Sequence, residues 1–390
     1  MSGKRVLFVA GEASGDMHGA NLIREIKHRL PTLDSEGLGG QAMAQAGMKL
    51  HYDLAGMAIM GFTEVARKLL LLRRIFRRTV AMLEQNRPDL LVLIDYPDFN
   101  LRLAKRAKAL GIPVIYFISP QVWAWRGGRV NLISKLVEKM IVILPFEEDI
   151  YRNAGVDVAF VGHPLVDRLA GYEMDRKLIC ELENDKSCPC IGLLPGSRAQ
   201  EVERILPIML RSVRILAEKY PAARFLVACR DDERAEYIRN CLDDGKTHVP
   251  VRVVSGRTYE VISSCDVCLV ASGTATLETA WLGTPMVIVY KVSLVSALIA
   301  SVLIHVRTIG LANIMAGKEI VPEFVQSDAR PDGIARAVAR LIDEPAARDT
   351  MVAELKLVRE KMGEPGASRR AAEIIVGMLD GQVPETVVAA

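Results

Sequence analysis

Ile191-Gly192-Leu193-Leu194-Pro195-Gly196-Ser197-Arg198, followed by Glu201, is the stretch whose reading decides the fold. Apolar residues run straight into Pro-Gly-Ser, and Arg198 then opens a polar, helix-like segment. That is how a strand buried in a parallel sheet ends in a turn that can handle phosphate. Gly196 permits close backbone approach, and free N–H groups at the following helix start would face outward with the positive end of the dipole. Arg198 adds a fixed cation whose fork suits phosphate oxygens. The plainer alternative is an ordinary strand-to-helix loop with a surface arginine. A second such turn lies downstream, where Val267-Cys268-Leu269-Val270-Ala271 leads into Ser272-Gly273-Thr274. Two anion-capable turns in one half of an α/β chain predict a ligand that carries a diphosphate. Glu278, about one turn into the second helix, is placed to accept hydrogen bonds from the vicinal hydroxyls of a ribose, or else to offset the helix dipole.

The bulk properties exclude several classes. A chain of 390 residues exceeds one ordinary core, so two domains are expected. Half of the residues are apolar and a quarter charged, the balance of a soluble globular protein. A net charge of +3 is too small for a nucleic-acid binder driven by bulk charge. The seven cysteines follow no scaffold pattern. Cys188-Pro189-Cys190 is too tight for a zinc knuckle and Cys265…Cys268 has no second pair, so core thiols are expected and no metal. The chain enters a strand almost at once and shows no long apolar signal core, which fits a reducing cytoplasm.

In chain order, Val6 to Ala10 reads as a strand buried on both faces, with Gly11-Glu12-Ala13-Ser14-Gly15-Asp16 turning into a helix that stops at Pro31. Open α/β sheets bind ligands at this edge, although the turn is not a dinucleotide fingerprint. Glu12 and Asp16 read either as ligand contacts or as acids at a helix start. Residues 64–80 form a basic amphipathic pattern. Leu69, Leu71, Leu72, Ile75, Phe76 and Val80 share one half of the wheel, and Arg67, Arg73, Arg74, Arg77 and Arg78 the other. Such a helix can lie on an anionic membrane or pack on a core with a solvated basic face.

Leu90 to Ile94 reads as a central strand with Asp95 at its carboxyl end, where chemical groups of such sheets project. Asp98 is placed as a helix N-cap, so Asp95 is the preferred chemical carboxylate. A strand at 114–118 leads to Ser119-Pro120-Gln121-Val122-Trp123-Ala124-Trp125-Arg126, which carries two of the three tryptophans, as an apolar platform or a buried anchor. Strands at 137–144 and 158–161 complete the first half, and His163 reads as structural or cleft-facing. Strands near 224–229, 251–254, 266–271 and 286–290 follow in the second half. The uncharged stretch 292–304 is too short to span a bilayer and reads as a buried, interface or membrane-surface helix. Asn313 in Asn313-Ile314-Met315-Ala316-Gly317 is placed in a turn, as a ligand donor or in a left-handed conformation. The expected layout is an α/β domain at 1–165, a connection at 166–188, a second α/β domain at 189–345 and helices at 346–380 packing back across both. Two Rossmann-like open sheets facing across a cleft are the fold expected.

Taken in order, the loops Gly11 to Asp16, Asp95 to Asn100, Val122 to Arg126, Leu194 to Arg198 with Glu201, and Ala271 to Thr274 with Glu278 closely resemble lipid-A-disaccharide synthase, a two-domain GT-B glycosyltransferase. The resemblance covers nearly the whole chain, with Ala312 standing where the family usually has proline. It implies an inverting transfer from UDP-2,3-diacylglucosamine to 2,3-diacylglucosamine 1-phosphate (lipid X), giving a β-1,6-linked disaccharide 1-phosphate and UDP. It also implies Asp95 as the base with Asp98 second, and Glu12 and Asn313 as further active-site positions. Gly196, Ser197, Arg198, Ser272, Gly273 and Thr274 would hold the diphosphate and Glu278 the ribose. Ser14, Trp123, Trp125 and the arginines at 73, 74, 77 and 78 would meet the acceptor, its acyl chains or the membrane. No cofactor and no metal are implied, and no Asp-x-Asp pattern is present. The expected setting is the cytoplasmic face of the inner membrane, without nucleic acid, and with a homodimer open to it. The rivals are another GT-B enzyme of UDP-GlcNAc, either a 2-epimerase or the peptidoglycan GlcNAc transferase, and a non-catalytic nucleotide-sugar sensor.

Overall fold

The computed structural model describes residues 3–57, 65–123, 128–183, 187–243, 249–292 and 308–381. The chain divides into two compact units, Met1–Ala170 with Met362–Ala390, and Gly171–Lys361.

The first unit holds seven strands: β1 (Arg5–Ala10), β2 (Asp34–Gly39), β3 (Lys49–Asp53), β4 (Leu90–Ile94), β5 (Val114–Phe117), β6 (Lys139–Val142) and β7 (Val158–Phe160). They lie in the order β3-β2-β1-β4-β5-β6-β7, and every pairing is parallel. Alternation explains the unbroken apolar runs. Leu7 and Val9 of β1 enter one core, while Val6, Phe8 and Ala10 enter the core on the other face. A sheet covered on both sides needs apolar residues at every position, each worth roughly 1.5–3 kcal/mol when fully buried.

The second unit holds β8 (Cys190–Leu194), β9 (Arg224–Cys229), β10 (Val251–Ser255), β11 (Val267–Ala271), β12 (Met286–Tyr290) and β13 (Glu323–Val325). Their order is β10-β9-β8-β11-β12-β13, again parallel throughout. In each unit the first strand sits inside the sheet and the winding reverses beside it, between β1 and β4 and between β8 and β11. The crevice at such a reversal, at the carboxyl ends of the strands, is where open sheets take ligands.

Three strands escaped the sequence pattern. β2 reads Asp-Ser-Glu-Gly-Leu-Gly and has no apolar run, yet Ser35 and Glu36 are buried. Glu36 is matched by His51 Nε2 at 2.9 Å, and a Cβ at Gly37 would fall 1.9 Å from the Phe8 carbonyl oxygen. β3 and β13 are short and only half-buried.

The helix Val65–Asn86 divides its apolar face. Ile75 is buried, and Leu72, Phe76 and Val80 pack on the core of the first unit. Leu69, Leu70 and Leu71 are instead 51, 64 and 41% exposed. Core packing thus claims the helix from Leu72 onward and leaves its first described leucines to solvent. Of the helices near the carboxyl terminus, Pro345–Lys361 belongs to the second unit. Ala367–Leu379 returns to the first, where it packs on helix Ala13–Arg29. There Arg29 bonds Glu373 at 2.9 Å and Arg370 Nε donates to the Val161 carbonyl at 2.9 Å. The apolar stretch 292–304 lies outside the described residues beyond Val292.

Candidate active site

In the first unit the reversal between β1 and β4 collects the Gly11 turn and the Asp95 turn. Asp95 and Tyr96 both adopt positive φ, 47° and 49°, a costly conformation for residues that carry a Cβ. The surroundings hold it. The Asp95 carbonyl accepts from Tyr116 Oη at 2.6 Å and from Asn100 Nδ2 at 2.7 Å, and its N–H donates to the Phe117 carbonyl at 3.2 Å. The Tyr96 ring stacks on Phe99 and lies over Gly11, where an added Cβ would come within 2.2 Å of it. Burial, first, and the charge of Glu12, second, push the Asp95 carboxyl up to about 6. Glu12 itself is exposed, as is Ser14.

Asp98 is not the helix cap expected. The helix Pro97–Ala109 starts two residues earlier than a cap at Asp98 would give, with Tyr96 at the cap position, because proline is suited to the first helical position. Asp98 falls in the first turn, is itself exposed and pairs with Arg129. Asp16 does not face a ligand either. Its buried carboxylate accepts from the N–H groups of Gly40, Ala42 and Met43 at 2.8–3.0 Å and so caps the next helix. His163 is structural: the Leu165 N–H donates to its Nδ1 at 3.1 Å, and burial holds the ring neutral, down to about 3. Trp123 is anchored, its ring edge-on to Phe146 at 5.5 Å and its Nε1 donating to Glu147 Oε1 at 3.2 Å. Trp125 lies outside the described residues. Glu147 is a site-edge residue that the sequence pattern did not flag, since only the fold shows that it is buried.

In the second unit the reversal between β8 and β11 collects the Gly196 and Ser272 turns. Gly196 has φ 117°, and a Cβ there would meet Glu201 at 2.7 Å. The turn N–H groups are not free, contrary to the expectation from the sequence. Those of Ser197 and Arg198 both donate to Glu201 Oε2, at 3.1 and 3.2 Å. Arg198 Nη1 also meets Glu201 Oε1 at 3.2 Å, with its side chain 77% exposed. The glutamate occupies the position where an anion would sit on such N–H groups. Tyr290, at the end of β12, lies within electrostatic reach of both, and nothing in its local sequence marked it.

Ser272 Oγ donates to the Ile309 carbonyl at 3.0 Å, and Gly273 caps helix Thr274–Leu282 with φ 146° and open space around its Cα. Glu278, half-buried, accepts from Tyr259 Oη at 3.1 Å. Asn313 sits in a short helix, Leu311–Ala316, rather than a left-handed turn. Its Nδ2 donates to the Val321 carbonyl and Glu323, and its Oδ1 accepts from the N–H groups of Ile320 and Val321, all within 2.7–2.9 Å. That side chain is fully engaged in the scaffold. Ala312 lies in the first turn of this helix, where no intrahelical N–H bond is due, so the lack of proline leaves the turn intact. The Cys190, Cys265 and Cys268 thiols are buried within the second unit, as core thiols should be, whereas Cys188 is only half-buried.

Two parallel sheets of this winding place the chain in the class of GT-B glycosyltransferases and the epimerases that share their fold. Solved structures agree. UDP-GlcNAc 2-epimerase from Neisseria meningitidis, bound to UDP-GlcNAc, aligns with TM-score 0.60 at 17% identity, covering 97% of this chain and all of that one. The calicheamicin glycosyltransferase CalG4 aligns with TM-score 0.61 at 17% identity, covering 98% of this chain and all of that one. The family model described as lipid-A-disaccharide synthetase matches residues 6–376. The lipid-A-disaccharide synthase of Syntrophus aciditrophicus is 46% identical over 380 residues, 97% of this chain and 99% of that protein. That of Geobacter sulfurreducens is 42% identical over 386 residues, 97% and 98% of the two chains. The chain belongs to the lipid-A-disaccharide synthase family, glycosyltransferases of lipid A biosynthesis.

Proposed function

We propose that the protein transfers the 2,3-diacylglucosamine of its UDP derivative to the 6-hydroxyl of 2,3-diacylglucosamine 1-phosphate with inversion at the anomeric carbon. The observation that carries this reading is a half-buried carboxylate on a clamped backbone at the winding reversal of one sheet, raised to about 6, in a protein whose second sheet has an exposed arginine in the turn at its own reversal. A base poised near neutrality takes the proton of the 6-hydroxyl as its oxygen attacks the anomeric carbon. The C1–O bond to the diphosphate breaks, and the product is the β-1,6-linked disaccharide 1-phosphate with UDP released. Asp95 is that base. Asp98, exposed and paired with Arg129, is the second choice.

Arg198 and the Ser197 and Ser272–Thr274 turns receive the diphosphate and offset the charge that develops on it. Glu201 swings off the turn N–H groups as phosphate arrives. Glu278 takes the ribose hydroxyls, and Glu12 tunes Asp95. The exposed leucines of helix Val65–Asn86, beside exposed Arg73, Arg74 and Arg77, support contact with acyl chains and an anionic leaflet. Arg78 is already engaged with Tyr52.

The test is product analysis with both diacylated substrates. A β-1,6 linkage formed in step with UDP supports the reading. Epimerised UDP-GlcNAc would show a 2-epimerase, and UDP binding without transfer a sensor.

A further inference from the structure

Glu147 takes no part in the reaction just described, yet it stands at the same sheet edge as Asp95. It is the third residue of helix Pro145–Asn153 and is 2% exposed. Oε1 accepts from Trp123 Nε1, and Oε2 has no hydrogen-bond partner among the described residues. The ring of Trp123 also packs edge-to-face with Phe146. Ser119, four residues before Trp123, is tied to Tyr151 of the same helix by a 2.7 Å hydroxyl contact and to the Pro120 carbonyl at 2.8 Å. The loop after β5 is therefore bolted to the helix after β6 at both Ser119 and Trp123.

We propose that Glu147 is a positioning residue for sugar transfer: as an uncharged acid it fixes the Ser119–Trp123 loop at the Asp95 edge, and turnover requires it to stay uncharged. The inference rests on the reading of that edge as the acceptor side of the active site. A buried carboxylate with one oxygen unmatched is costly, whereas the neutral acid is tolerated. The groups facing it support this. Asp95, from the turn after β4, adds negative charge, Tyr151 on its own helix is held neutral, and Trp123, Ser119 and the Leu144 backbone favour the anion by less than burial opposes it. Burial, the largest cause, pushes its carboxyl up to about 8. Ionisation above that pH places a second negative charge beside Asp95 and loosens the loop.

The measurement is the pH profile of kcat for wild type, Glu147→Gln, Glu147→Ala and Asp95→Asn with both substrates. Ionisations of the substrates are common to all and cancel. Wild type loses rate above pH about 8, by about tenfold per unit. Glu147→Gln keeps most of the neutral-pH rate and loses this alkaline limb, because the amide is uncharged at every pH. Glu147→Ala leaves the loop unsupported and falls on the order of 10²-fold at all pH values, the effect of a small displacement of reacting groups. An alkaline limb unchanged in Glu147→Gln, or a Glu147→Ala rate equal to wild type, overturns the proposal. Full activity of Asp95→Asn overturns the base assignment alone, since the comparison of wild type with Glu147→Gln does not use it. Should the glutamine variant not fold, wild-type tryptophan emission serves. A transition with midpoint near pH 8 that disappears in Trp123→Phe is expected, and its absence from wild type defeats the proposal.

Discussion

Asp95 combines two features that the surroundings impose together, a left-handed backbone and a raised carboxyl. Positive φ at Asp95 and Tyr96 costs on the order of 1–3 kcal/mol each, and the Tyr116 and Asn100 bonds to the Asp95 carbonyl hold it. Because its pKa is raised, the carboxylate forms only as pH rises through about 6. Activity should therefore fall below that pH, with kcat/KM reporting the free enzyme. Glu12→Gln should move this acid limb downward without returning it to the ordinary aspartate range, since burial, the larger cause, remains. A limb that stays in place would remove Glu12 from the site's electrostatics. Gly11→Ala is the steric counterpart. The new Cβ would displace the Tyr96 ring and with it Asp95, so rate should drop far more than stability. An unchanged rate would show that the ring can yield. The position of Asp95 after a strand was legible in the sequence. Its pKa, the capping duty of Asp16 and the burial of Glu147 were not, because each depends on residues far away in the chain.

Among the elements, the continuous apolar strands declared themselves, since sheets covered on both faces leave no polar position. β2 did not, because its buried glutamate is answered by His51 from β3, a match invisible along one segment. The turn after β8 was legible as a strand-to-helix turn, but the engagement of its N–H groups by Glu201 was not. If Arg198 holds the diphosphate, Arg198→Ala should lose roughly 1.5–3 kcal/mol of UDP binding, the worth of a charge-assisted hydrogen bond. Calorimetric titration with UDP measures it. Equal affinity in the two proteins would return Arg198 to the role of a helix-start residue paired with Glu201.

For the whole molecule, two open α/β sheets were foreseen, while their strand orders and the division of the last helices between the two units were not. A helix pattern gives the face that is buried and not the partner that buries it. No described helix is long and apolar enough to cross a membrane. Neutralising Arg73, Arg74 and Arg77 to Gln keeps helix propensity similar and removes only charge. On anionic vesicles each basic residue is worth about 1 kcal/mol, screened within a Debye length. The variant should therefore release at much lower salt than wild type in a sedimentation assay, with little change in rate on detergent-dispersed substrates. Identical binding at every salt concentration would end the basic-helix reading.

The central claim is that Asp95 takes the acceptor proton, and single-turnover transfer by Asp95→Asn tests it most directly. The variant should fold, bind UDP as wild type does and lose about 10²–10⁴-fold in rate, the usual loss on removing a general base. Near-normal transfer by a folded, UDP-binding Asp95→Asn protein would contradict the account.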